Sequence, residues 1–257
     1  MSRRHVVFAC DGSALAGTID EGAATTGLLI VSGGNEVRAG AWNGQALLAA
    51  RIAAAGFPVL RFDRRGVGDS EGPNGDFRSS APDIAAALAA FRDTCPQIAR
   101  IAALGNCDAA SALMLAGGAD CNALVLANPW TIEDEAAVPP PAALRGHYAK
   151  RLTNPAALRR LLTGGVGLRG LFGSLLAASR GTPPPTGLAQ EMAAGLAKFD
   201  GPVKILIAGR DRTAQIFLAA WKKDDPRLRR CDEATHSFVE PEAREWLEAQ
   251  LLEVLRS

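Results

Sequence analysis

The sequence has no CxxC pair. Its five cysteines, at 10, 95, 107, 121 and 231, are odd in number and scattered through 257 residues, which argues against a disulfide framework or a zinc knuckle and points to a reducing compartment. Net charge is also lacking: the balance is +1 with 21% charged residues, too weak a field to steer nucleic acid. No apolar run reaches the length of a membrane span, and the apolar stretch after Met1-Ser2-Arg3-Arg4 stops at Asp11, too short for the core of an export signal. The expectation is a cytoplasmic protein with no stable membrane insertion. Histidine is scarce, so chemistry that needs an imidazole has only His5, His147 and His236 to draw on. Nothing in the sequence calls for a metal or a cofactor.

What is present is a rhythm of short apolar runs and helical pattern. With 48% hydrophobic residues the chain can bury one large core, and one main domain with an insertion is expected. His5–Ala9 and Ala14–Ile19 flank the turn signal Cys10-Asp11-Gly12-Ser13 and predict a hairpin. Leu28–Val31, Pro58–Phe62, Ile101–Leu104, Ala123–Ala127, Val203–Ala208 and Leu228–Cys231 predict further strands, while Trp42–Ala55, Pro82–Thr94, Ala110–Ala116 and Pro241–Leu255 predict helices. This is an α/β pattern: a mostly parallel sheet of about eight strands, covered on both faces, with ligands expected at the C-terminal strand ends.

The rhythm is lost between Thr131 and Phe199, where helical pattern is broken by Pro139-Pro140-Pro141, Asn154-Pro155 and Pro183-Pro184-Pro185. The reading is a core of residues 1–130 and 200–257 with a helical cap inserted at 131–199. In the cap, Leu168, Leu171, Phe172, Leu175 and Leu176 recur at helical spacing, which suits docking on the core or the lining of an apolar pocket. Between Ala136 and Gln190 there is no Asp or Glu, yet Arg145, Lys150, Arg151, Arg159, Arg160, Arg169 and Arg180 are there. A basic lid favours an anionic substrate or an acidic surface, and the plain alternative is a solvated helix face. Gly165-Val166-Gly167-Leu168-Arg169-Gly170 spells GxGxxG, but it follows no strand and carries no dinucleotide reading.

The chemistry centres on Gly105-Asn106-Cys107-Asp108-Ala109, between an apolar strand and a helical stretch. Small residues two places before and after Cys107 suit a sharp turn that presents its central residue as a nucleophile. A thiol there needs a base, a group to orient that base, and N–H donors for an oxyanion. His236 follows the predicted last strand and is the candidate base. Asp211 follows the Val203–Ala208 strand and is the candidate orienting acid, ahead of Asp200, Asp224 and Asp225. The oxyanion donors would be the N–H of Asp108 and that of Gly34 in Ser32-Gly33-Gly34, with Asn35 a second possibility. Arg38, His147 and Tyr148 are candidate substrate-binding residues.

Taken together, the Ser32-Gly33-Gly34 loop, the Asp63–Ser70 loop, the Cys107 turn, Gly209-Arg210-Asp211 and His236 resemble the α/β-hydrolase superfamily, whose order of nucleophile, acid and histidine is the one seen here. More narrowly, Arg61-Phe62-Asp63-Arg64-Arg65-Gly66-Val67-Gly68-Asp69-Ser70-Glu71-Gly72, Cys107-Asp108-Ala109-Ala110-Ser111-Ala112 and Asn128-Pro129-Trp130 resemble the exosortase A system-associated hydrolases of type 1, as do His147-Tyr148 and Arg151-Leu152. That resemblance implies an α/β-hydrolase fold and a bacterial exopolysaccharide context. Cysteine at the turn is similar to dienelactone hydrolases, and departs from the serine enzymes of the superfamily. The activity expected is a cysteine-dependent acyl hydrolase acting on a small-molecule or glycan-linked ester or thioester. Transfer of the acyl group to a sugar or amine, and a non-catalytic accessory role in polysaccharide assembly, are the alternatives.

Overall fold

Alternation along the strands decides the layers. In β3 (Thr26–Val31) Leu28 and Ile30 join one apolar cluster, while Leu29 and Val31 join another. The same division runs through β5 (Arg100–Asn106), with Ala102 and Leu104 against Ala103, and through β6 (Ala123–Ala127), with Val125 against Leu124 and Leu126. Strands buried on both faces read as unbroken apolar runs, and such runs suit the middle of a parallel sheet. The structure, a computed structural model, describes residues 2–133 and 187–257.

Eight strands form one sheet in the order β1-β2-β4-β3-β5-β6-β7-β8. The others are β1 (Arg3–Cys10), β2 (Ser13–Asp20), β4 (Val59–Phe62), β7 (Val203–Ala208) and β8 (Leu228–Cys231). The β1–β2 hairpin and the β2–β4 pair are antiparallel; every other pair is parallel. The order reverses at β3, which lies between β4 and β5, and a crevice at the C-terminal strand ends is expected at such a point.

Helices α1 (Gly44–Ala54) and α6 (Pro241–Arg256) cover one face through Ala49, Ile52, Leu251 and Val254. Helices α2 (Ala81–Thr94), α3 (Asp108–Leu115), α4 (Gly187–Leu196) and α5 (Arg212–Ala220) cover the other through Ile84, Phe91, Leu113, Met192 and Phe217. Phe91 and Phe217 are fully buried, each stabilising the fold by about 1.5–3 kcal/mol relative to exposure. Among the described residues no helix is long and apolar enough to cross a membrane.

Most element ends fall within a residue or two of the expectations, and the start of α1 is instructive. The helix expected from Trp42 begins at Gly44, because Trp42 (φ 48°) and Asn43 (φ 62°) turn left-handed at the end of a short 3-10 turn. The Trp42 indole lies over Gly44, where a Cβ would come within 2.8 Å of the ring. Arg244 of α6 stands 5.4 Å from the ring centroid, in cation–π range. The stretch 131–199 ends in α4, whose Leu188, Met192 and Leu196 recur at helical spacing and join the core cluster that also contains α3 residues. The body of the expected cap lies outside the described residues, as do its basic side chains, its leucine row and the GxGxxG string.

Candidate active site

β5 delivers Cys107 into a turn that few residues tolerate, with φ 63° and ψ −128°. Backbone in so sparsely populated a region costs about 1–3 kcal/mol and persists only where neighbours over-determine it. Here they do. Cys107 N donates to Ala127 O of β6 at 2.9 Å, and Cys107 O accepts from Ala110 N at 3.1 Å and Trp130 N at 3.3 Å. Ser111 ties the same corner, its Oγ donating to Trp130 O at 2.8 Å. Gly105 shows why the turn requires a small residue two places earlier: a Cβ there would stand 2.7 Å from Ala109 C and Ala110 N. Cys107 is half-buried, whereas Cys10, Cys95 and Cys121 are buried.

Asp211 stands just beyond β7 and has two duties. It caps α5, accepting from Thr213 N at 3.2 Å and Ala214 N at 3.0 Å. Its Oδ2 also lies 2.9 Å from His236 Nδ1. Asp225, one of its rivals in the sequence, is taken up by Arg227, whose hydrogen bond pulls its carboxyl down to about 2.

His236 sits in the loop after β8. Its carbonyl is held by Asn106 Nδ2 at 3.3 Å and Asn128 Nδ2 at 3.1 Å, so side chains from the ends of β5 and β6 fix the loop. Asn128 is fully buried, and its Oδ1 also accepts from Ala208 N at 2.8 Å. The imidazole is bonded to Asp211, and that bond foremost, with the influence of nearby Cys107 after it, pushes its pKa up to about 10 against the opposing effect of burial. Carboxylate and imidazole thus form a bonded pair, with the Cys107 thiol in their electrostatic neighbourhood. His5 lies in the outer hairpin against Thr18.

The loop after β3 faces Cys107. A Cβ on Gly33 would lie 3.5 Å from Cys107 Cβ and 2.6 Å from Asn106 O, so only glycine allows the loop so close. Gly34 N donates to the Asp108 carboxylate at 2.6 Å, and Gly34 O accepts from Arg64 Nη2. Asn35 turns its side chain toward Asn74, accepting at 2.9 Å. The Arg38 guanidinium is spent on Thr18, Asp63 and Asp69. Asp63 is fully buried and also accepts from Arg38 N and Asp69 N, so the Asp63–Ser70 loop buttresses the segment beside Cys107. His147 and Tyr148 lie outside the described residues.

Glu36 is a site residue that the sequence reading missed. It is half-buried, with burial raising its carboxyl pKa above the ordinary value while the positive field of His236 pulls it down and Asp108 pushes it up. Gln45 donates to it at 3.2 Å. A cavity of about 370 Å³ between α1 and α6, walled by Ile30, Leu48, Leu104 and Leu247, reaches Glu36, Asn106 and Ser237. Its place directly after Gly33-Gly34-Asn35 was the available signal. Asn106 and Asn128 were missed as well, since an asparagine at a strand end reads as a turn former.

Residues 28–250 match the Alpha/beta hydrolase family. No curated protein matches the chain. Among solved structures, the alpha/beta hydrolase GrgF from Penicillium sp. sh18 is similar over 100% of this chain and 98% of its own, with a TM-score of 0.68 and 19% identity. The esterase Pf2001 from Pyrococcus furiosus is similar over 99% of this chain and 90% of its own, with a TM-score of 0.63 and 18% identity. A thioesterase domain from the curacin biosynthetic pathway is similar over 98% of this chain and 100% of its own, with a TM-score of 0.57 and 13% identity. At these identities the likeness is one of fold.

Proposed function

The chain belongs to the alpha/beta hydrolase family, and from that premise we propose that it is a cysteine-dependent hydrolase of ester or thioester bonds. The observation that carries the reading is the His236–Asp211 pair together with Cys107, held at strained angles on the β5–α3 turn and close enough to influence His236. An inert buried thiol needs neither the strain nor the partners.

With Nδ1 donating to Asp211, the ring offers Nε2 to the thiol. Cys107 passes its proton there and the thiolate attacks the acyl carbon, the C=O π pair moving to oxygen. The N–H of Asp108, at the first turn of α3, and that of Gly34 are the donors for this oxyanion. Collapse of the adduct expels an alcohol or thiol, which takes the proton from His236. Water, deprotonated by His236, then attacks the acyl-thioester, and Cys107 leaves as thiolate. Thiolate is a good leaving group, so the first adduct reverts unless the departing group of the substrate is also good. Esters, lactones and thioesters meet that condition better than unstrained amides. Two of the proteins sharing the fold are an esterase and a thioesterase, which supports this chemistry.

The motif resemblance supplies the setting, acyl groups in bacterial exopolysaccharide assembly, and the five unpaired cysteines support a cytoplasmic location. The test is brief, limiting treatment with iodoacetamide near neutral pH, followed by peptide mass spectrometry and turnover of activated acyl esters. Cys107 is expected to alkylate ahead of Cys10, Cys95, Cys121 and Cys231, and Cys107→Ala to abolish turnover. Equal alkylation of all five, with turnover intact in Cys107→Ala, refutes the reading. Acylated product on added sugars or amines would assign transfer in place of hydrolysis.

A further inference from the structure

The oxyanion donors proposed above are not both free. Asp108 Oδ1 accepts from Gly34 N at 2.6 Å, and the same oxygen would lie 2.6 Å from a Cβ on Gly33, itself against Cys107. The carboxylate therefore fills the cleft between the loop after β3 and the nucleophile turn. A carbonyl oxygen that is to use both N–H groups has to enter that cleft. A carboxylate there withholds one donor and opposes the negative charge that develops on the substrate oxygen.

We infer that the Asp108 side chain is a built-in plug of the oxyanion hole, which the substrate carbonyl must displace before Cys107 can be acylated. The inference rests on the cysteine-hydrolase reading and adds a closed and an open state to it. The open position is already furnished. Asp108 Oδ2 lies 3.9 Å from Arg64 Nη2. Arg64 is a buried guanidinium anchored by Ser80 Oγ at 2.7 Å and by Gly34 O. A rotation of the carboxylate toward Arg64 gives up the hydrogen bond to Gly34, tightens an ion pair already in place at 3.9 Å, and leaves the Gly34 N–H facing the cleft. The two arrangements share their charges and differ in one contact, which makes the element bistable and lets a substrate select between them. It also sets a preference: an acyl group carrying its own carboxylate near the carbonyl meets the Asp108 carboxylate, so neutral acyl groups are favoured.

The experiment compares wild type, Asp108→Asn and Asp108→Ala, leaving the Asp108 backbone N–H in place throughout. Asparagine removes the charge but keeps an oxygen able to accept from Gly34; alanine removes both. For each protein the acylation rate with p-nitrophenyl butyrate is divided by the alkylation rate of Cys107 with iodoacetamide, a reaction that forms no oxyanion. The quotient removes any change in thiol reactivity. It is expected to rise by ~10-fold in Asp108→Ala, part of the roughly 10²–10³ that one oxyanion donor is worth, and by less in Asp108→Asn. A quotient for Asp108→Ala at or below wild type overturns the plug and makes Asp108 a support of the loop. A second measurement needs no variant: a crystal structure of the wild-type protein with butanal added to Cys107 as the hemithioacetal. The adduct oxygen is expected on Gly34 N with Asp108 turned to Arg64; Asp108 still bound to Gly34 N overturns the proposal. Turnover that survives Cys107→Ala would instead sink the underlying hydrolase reading, a separate result.

Discussion

Replacing Asp211 by asparagine tests a side chain whose two duties share one oxygen, since Oδ2 both caps α5 and meets His236. Asparagine caps a helix about as well as aspartate, but the capping bonds fall on different oxygens, Thr213 N on Oδ1 and Ala214 N on Oδ2, and Oδ2 is also the oxygen that meets His236, so the single amide oxygen holds only one of the two places. In the Oδ1 place it leaves an NH₂ donating to Nδ1, which forces the imidazole proton onto Nε2, the nitrogen that must accept from Cys107; in the Oδ2 place it keeps the tautomer and removes only the charge. Helix α5 loses one capping bond in either orientation, and the base is weakened. The first cause of the raised His236 pKa, about 10, is the Asp211 hydrogen bond; losing an adjacent opposite charge lowers a cationic group by roughly 1–3 pH units. Loss of the Asp211 charge and the weakened base cost roughly 10²–10⁴ in kcat on activated esters.

Stability follows the same linkage. A raised folded-state pKa contributes fully below the ordinary histidine value of 6.5 and is lost as pH climbs through about 10. At about 1.4 kcal/mol per pKa unit the full rise is worth roughly 5 kcal/mol. The ring is 36% exposed, however, and solvent screening leaves about 1 kcal/mol. Wild type is therefore expected to exceed Asp211→Asn in stability most near pH 6, with the gap closing toward pH 10. The assay is a urea unfolding series across pH, joined to an NMR titration of the His236 ring and ester kinetics. Wild-type kcat with an unmoved His236 titration would refute the reasoning.

The remaining predictions concern the frame around the site. Gly105→Ala drives a Cβ to 2.7 Å from the α3 backbone and is expected to cost about 1–3 kcal/mol, read as a lower urea midpoint; an unchanged midpoint would show that the turn has slack. Asn128→Leu strips partners from Ala208 N, Asn106 and the His236 carbonyl. About 2–4 kcal/mol of stability should go with them, together with a fall in kcat larger than any change in KM; loss of stability at full kcat would show that Asn128 does not position His236. Burial pushes the Cys10 thiol up to about 11 and Cys121 up to about 12, so both should stay unalkylated at neutral pH; labelling of either before Cys107 contradicts the assignment.

The parallel strands were legible because burial on both faces leaves an unbroken apolar run, as in Leu28–Val31 and Ala123–Ala127. The order of Cys107, Asp211 and His236 was legible because each follows a strand, and the strand ends meet at one edge of the sheet. What escaped depends on three-dimensional contact. The late start of α1 is set by the Trp42 ring over Gly44 and beside Arg244, a tertiary preference over local helical pattern. Arg38 looked available to a substrate until Asp63 and Asp69 claimed it. The closure of Gly34 N by Asp108 joins residues 74 apart in the chain, and no local spacing announces it.

The central claim is that Cys107 carries the acyl group. Rapid acid quenching of the wild-type protein during turnover of p-nitrophenyl butyrate, then peptide mass spectrometry, tests it most directly. The butyryl mass is expected on the peptide bearing Cys107, accumulating further in Asp211→Asn if water attack slows more than acylation. A butyryl group on any other residue, or hydrolysis that continues in Cys107→Ala, would contradict it.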